Sequence, residues 1–167
     1  MLFPSIVLAI FSFQTPAPGW SLSRAHTGTQ TYHWYATSCA FIGDINGDGV
    51  SDYINGVIAT DQADVFSGLD GTLIRQHFGT NAPLFFGSKV AGAGDLDGDQ
   101  IPDYLIAGGG SSFSGTPQGQ VHAFSGATGA ILYSVSGSIS GSSFGSSLAG
   151  GMDFSGDGVP DFVVGAE

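Results

Sequence analysis

Basic residues are scarce in this 167-residue chain: 3 Lys and Arg stand against 14 Asp and Glu, for a formal charge of −11. Nucleic acid and anionic membrane surfaces are bound through clustered positive charge, so neither is expected as a partner. Cysteine is nearly absent. The lone Cys39 excludes an internal disulfide and reads as a small buried hydrophobe. Four scattered histidines (His26, His33, His77 and His122) and one cysteine spell out no zinc site. No apolar run reaches the roughly 20 residues of a membrane-spanning helix.

The longest such run, LFPSIVLAIFSF at 2–13, ends in the polar, Pro-containing QTPAPG. It resembles the apolar core of a secretory signal peptide, although no Lys or Arg precedes it, and Ala17 marks a plausible end. This reading predicts a leader over 1–18, a linker or closing strand over 19–30, and export to the secreted or cell-surface compartment. Calcium there is millimolar.

Glycine is abundant, at 28 residues, yet 42% of the chain is hydrophobic and that share falls in short alternating blocks. The pattern is that of a turn-rich β protein. Aligning the chain on itself gives three matching segments: GDINGDGVSDYINGV (43–57), GDLDGDQIPDYLIAG (94–108) and MDFSGDGVPDFVVGA (152–166). FFGSKVAGAGD (85–95) also matches SFGSSLAGGMD (143–153), and VFSGLDGTLI (65–74) matches AFSGATGAIL (123–132). The unit thus runs Phe-Gly strand, acidic loop, apolar strand, variable loop, strand ending in FSG, turn, strand. Four short strands in about 50 residues predict an all-β fold of β-propeller blades, each of four antiparallel strands. In the second unit they should lie near 86–92, 103–109, 119–125 and 130–136. The blades fall at about 31–81, 82–138 and a partial 139–167. Two and a half blades make an incomplete ring, because seven need roughly 350 residues. Further blades of a longer chain, or assembly with other copies, are therefore expected; open edges would otherwise invite aggregation.

The acidic loop places side-chain oxygens at alternate positions 1, 3, 5 and 9. These are Asp44, Asn46, Asp48 and Asp52 in the first copy; Asp95, Asp97, Asp99 and Asp103 in the second; Asp153, Ser155, Asp157 and Asp161 in the third. Backbone carbonyls at position 7 (Val50, Ile101 and Val159) would complete each set. So many carboxylates without a nearby cation repel one another, and a hard divalent ion relieves them. Ca²⁺ fits best, since it takes 6–8 oxygens in irregular geometry. Up to three ions are predicted, the third held more weakly through Ser155. Solvated Asx-turns are the plain alternative. An EF-hand is excluded: its bidentate Glu at position 12 is replaced by Asn55, Ile106 and Val164, and its flanking helices are missing.

The combined motif, F-G…V-A…G-D-x-(D/N)-G-D-x-x-x-D-(Y/F), resembles the FG-GAP repeat of the integrin alpha-chain β-propeller and of many bacterial exported proteins. The resemblance covers about 31–167. It implies Ca²⁺ in the loops between the first two strands of each blade, on one face of a propeller usually of seven blades, held by the residues just named. Departures are Gln100 in place of a loop glycine, Ser155, and AFIGD (40–44) where a Phe-Gly is expected.

The expected function is a non-enzymatic, calcium-stabilised scaffold for extracellular binding or adhesion, with an unknown protein or glycan as ligand. The polar GGGSSFSGTPQG (108–119) is the candidate contact loop. The alternatives are a propeller module of an exported hydrolase, for which no nucleophile motif such as GxSxG appears, and a sugar-binding lectin using YHWY (32–35).

Overall fold

The computed structural model describes residues 6–14, 19–27, 35–79, 85–108, 119–139 and 142–166. Twelve strands occur among them: β1 (Ile6–Gln14), β2 (Gly19–Thr27), β3 (Tyr35–Gly43), β4 (Asp52–Val57), β5 (Gln62–Phe66), β6 (Leu73–Phe78), β7 (Lys89–Gly94), β8 (Asp103–Gly108), β9 (Gln120–Phe124), β10 (Ile131–Ser136), β11 (Ser147–Met152) and β12 (Asp161–Gly165). The only helical element described is a 3-10 turn at Ile58–Thr60.

Two four-stranded antiparallel sheets form, β3-β4-β5-β6 and β7-β8-β9-β10, each in chain order; β11 and β12 make a two-stranded third. These are β-propeller blades in an open, unclosed row. The run read as a leader largely coincides with β1, which pairs antiparallel with β2.

The sheets stack through apolar faces set by strand alternation. The first interface joins Ile42, Ile54 and Val65 of one sheet to Val90, Tyr104, Ile106 and Phe124 of the next. The second is built of smaller residues: Ala91, Ala93, Leu105, Ala107, Val121 and Ala123, against partly buried Leu148, Phe162 and Val164. β4 and β8, the second strands, are buried along their whole length. On the inner rim β3, β7 and β11 pack side by side. Backbones meet there: a Cβ on Gly92 would lie 2.7 Å from the Phe41 carbonyl oxygen.

Two details depart from the sequence reading. The Phe-Gly pairs do not begin the first strands. Phe86-Gly87 and Phe144-Gly145 form turns just before β7 and β11, so β7 starts at Lys89 rather than 86. Gly87 and Gly145 take positive φ (85° and 91°), which bends the chain into the strand. Cys39 is exposed, not buried. β3 is the edge strand of its sheet, and Cys39 opens onto a groove of about 570 Å³ lined also by Val90, Gly92 and Leu148.

Candidate metal centre

Each acidic loop joins the first two strands of its sheet and follows a β-bulge. The bulges fall at Phe41/Gly43, Gly92/Gly94 and Gly150/Met152, immediately before the first aspartate. The extra residue breaks the ladder and turns the loop out of the sheet. Neighbouring loops are stapled together. A Cβ on Gly43 would sit 2.6 Å from Pro102 Cγ, and one on Gly94 2.8 Å from Pro160 Cγ. The glycine entering one loop thus lies beneath the proline leaving the next.

Within the loops the first aspartate is wrapped by backbone. Asp95 Oδ1 accepts from the N–H of Gly98 (2.7 Å) and Asp99 (3.1 Å), and Oδ2 from Gln100 N–H (2.8 Å). Asp44 and Asp153 receive the same three bonds, from Gly47, Asp48 and Gly49, and from Gly156, Asp157 and Gly158. Those backbone donors hold the Asp153 carboxyl below the usual carboxylate range. At position 6 the backbone is left-handed in all three loops: Gly49 φ 85°, Gln100 φ 71°, Gly158 φ 91°. Gln100 therefore takes a conformation that costs a residue with Cβ about 1–2 kcal/mol.

The ninth-position aspartate opens the second strand and reaches two ways. Asp103 is fully buried. Its Oδ2 accepts from Leu96 N–H at 2.7 Å and its Oδ1 from Gly126 N–H at 2.8 Å. Asp52 does likewise with Ile45 and Gly68, both at 2.9 Å. Gly68 and Gly126 are the glycines of the two FSG motifs, so this carboxylate ties the acidic loop to the turn after the third strand. Burial pushes the Asp103 carboxyl up; the Gly126 and Leu96 donors oppose this, and the charges of Asp97 and Asp99 add to it. In the third loop Asp161 Oδ2 accepts from both Phe154 N–H and Ser155 N–H.

Positions 3 and 5 distinguish the copies. In the second loop one carboxylate oxygen each from Asp95, Asp97 and Asp99 lies within 4.8 Å of the other two. Oxygens sharing one Ca²⁺ at about 2.3–2.6 Å are at most about 5 Å apart, so this hard-oxygen trio fits that ion. Asp103 stands outside the trio. In the first loop Asn46 Nδ2 donates to Asp48 Oδ2 at 2.9 Å, and Ser67 Oγ donates to the same oxygen. The Asn46 bond is the main influence holding the Asp48 carboxyl low. In the third loop Ser155 Oγ lies 3.5 Å from Asp153 Oδ1. Among the described residues, no carboxylate trio of the first or third loop closes as the second does.

Sequence reasoning missed a polar cluster between the first two sheets. Arg75 on β6 donates to Tyr104 Oη at 3.0 Å and to the carbonyls of Ser125, Gly126 and Ala127 at 3.1–3.4 Å. His77 Nε2 lies 2.7 Å from the same Tyr104 oxygen. Whether His77 Nε2 donates to or accepts from that hydroxyl is set by its tautomer. Burial, then the Arg75 charge, lowers the His77 pKa to about 4. The visible signal was Arg75 itself, one of three basic residues, standing where the next repeat has Tyr133.

His122 is half-buried near Phe86 and Phe124, with Nδ1 2.8 Å from Ser134 Oγ. His33, residues 32–34 of YHWY and residues 109–118 of the candidate contact loop lie outside the described residues.

Residues 144–167 match the FG-GAP repeat family. Integrin alpha-E of Mus musculus is 35% identical over 91 residues, and integrin alpha-5 of Xenopus laevis 40% over 90; each match covers 48% of this chain. The matched region spans only 8% of the length of either relative. These likenesses identify residues 144–167 as an FG-GAP repeat and, with the stacked four-stranded sheets and the repeated loops, support an integrin-like FG-GAP domain.

Proposed function

We propose that this chain is a calcium-stabilised β-propeller scaffold, exported and non-enzymatic, that serves extracellular binding or adhesion. The observation that carries the calcium reading is the convergence of Asp95, Asp97 and Asp99 to within 4.8 Å. Asp95, Asp97, Asp99 and Asp103, with the Ile101 carbonyl, are the proposed ligands of the second loop. Asp44, Asn46, Asp48, Val50 and Asp52, and Asp153, Ser155, Asp157, Val159 and Asp161, are the proposed sets of the first and third. A bound Ca²⁺ would supply positive charge among crowded carboxylates; the chain's own backbone donors aim the first and ninth aspartates of each loop. The blades are taken as 31–81, 82–138 and a partial 139–167, preceded by a leader over 1–18 and a linker or closing strand over 19–30. Likeness to integrin alpha chains supports export and an adhesive partner, protein or glycan, with further blades in a longer chain. No helix among the described residues is long and apolar enough to cross a membrane.

Melting with Ca²⁺ and with EGTA tests this reading. With dissociation constants of about 10–100 μM in about 1 mM Ca²⁺, each occupied loop adds roughly 1.4–2.7 kcal/mol. An unchanged Tm in EGTA would refute the calcium reading.

A further inference from the structure

Arg75 makes a contact that the repeat pattern does not ask for. It stands on the outermost strand of the first four-stranded sheet, yet all the side-chain hydrogen bonds described for it go to the second. Its guanidinium lies against the Ser125–Ala127 turn and takes three successive carbonyls. The fit is close: a Cβ on Gly129 would sit 2.6 Å from Arg75 Cδ and Nε. The fourth partner, Tyr104 Oη, belongs to a fully buried side chain that follows Asp103 directly.

The turn that Arg75 holds is the one that fixes Asp103. Gly126 offers its carbonyl to Arg75 at 3.1 Å and its N–H to Asp103 Oδ1 at 2.8 Å. A planar, permanently charged donor fork suits several carbonyls at once, and a lysine ammonium does not reproduce it. From this we infer that Arg75 is a positioning residue for the second acidic loop, setting its cation affinity from the neighbouring blade through the Ser125–Ala127 turn and Asp103. The inference rests on the proposed calcium reading of that loop. By linkage the effect is reciprocal: an ion in the second loop tightens the contact between the first two blades.

Heteronuclear NMR of the full chain tests this loop by loop. The amides of Gly47, Gly98 and Gly156 each bond the first aspartate of their own loop, so a Ca²⁺ titration followed at all three gives three separate affinities. Arg75→Ala is expected to weaken the Gly98 response about threefold or more and leave Gly47 and Gly156 unchanged, with Arg75→Lys between. Without calcium, hydrogen exchange at Gly126 and Leu96 should quicken in Arg75→Ala, while Gly68 and Ile45 keep their rates. Unchanged exchange at Gly126, or a Gly98 affinity equal to that of the unsubstituted chain, overturns the inference and leaves the calcium reading standing. Equal weakening at all three glycines also overturns it, because it marks general loosening. If none of the three amides of the unsubstituted chain responds to Ca²⁺, the calcium reading falls and this inference with it. Arg75→Lys provides the same readouts should Arg75→Ala not fold.

Discussion

The second and third acidic loops share a backbone path but not an environment. Leu96, at position 2 of the second loop, is 7% exposed, packed among residues of β8, β9 and the third sheet. Phe154, at the same position of the third, is 91% exposed. Asp103 is sealed between two buried backbone donors, whereas the two donors to Asp161 are exposed. The backbone bonds to the first aspartate come from local sequence and recur in every copy. What buries a loop's second residue and its ninth-position aspartate, in the first loop as in the second, is the turn of its own third and fourth strands and the sheet beyond. A repeat unit thus carries its ligands but borrows its walls.

The largest test of that contrast removes the ninth-position carboxylate. Asp103→Ala leaves the Leu96 and Gly126 N–H groups buried without acceptors and should cost about 3–4 kcal/mol by chemical denaturation. Asp161→Ala, whose donors turn to water, should cost under about 1 kcal/mol. Equal losses would break the contrast. Leu96→Ala follows, at about 3 kcal/mol for a buried leucine, against less than about 0.5 kcal/mol for Phe154→Ala. Exchanging third-position ligands sharpens the comparison at the ion: Asp97→Ser should lower Ca²⁺ affinity of the second loop about tenfold, and Ser155→Asp should raise that of the third, both by isothermal titration.

A pH effect should separate the first interface from the second. The folded His77 pKa, lowered to about 4, lies below its unfolded value near 6.5. Its contribution is therefore fully present above pH 6.5 and lost as pH falls toward 4. Between pH 7 and 5 the Tm should drop, and His77→Gln should flatten that part of the profile. The smallest expected effect is a gain of up to about 1 kcal/mol in Gln100→Gly, where relief of the left-handed conformation is partly offset by greater freedom of the unfolded chain.

Much of this was legible in the sequence. Repetition disclosed the blades, the strand order and the oxygen-bearing side chains at positions 1, 3, 5 and 9, because each rests on short-range spacing. The second strand was placed at 103–109 and runs Asp103–Gly108; the fourth, at 130–136, runs Ile131–Ser136. The first strand was misplaced because Phe86-Gly87 has strand-like composition but a turn backbone. Cys39 was misjudged because its exposure depends on lying at a sheet edge, a property of topology rather than residue type. The contact made by Arg75 was invisible for the same reason, though the residue itself stands out: it and the Gly126 carbonyl are 51 residues apart, and the two repeats differ at that position.

The glycine–proline staple between loops bears on how such a chain can be recombined. Gly43 and Pro102 form one joint, and Gly94 and Pro160 the next, so every joint straddles two units. A unit transplanted alone carries a mismatched half-joint at each end. Chimeras of propellers of this kind should therefore tolerate exchange of adjacent pairs better than of single units, and crossover points should respect the joint rather than the repeat boundary.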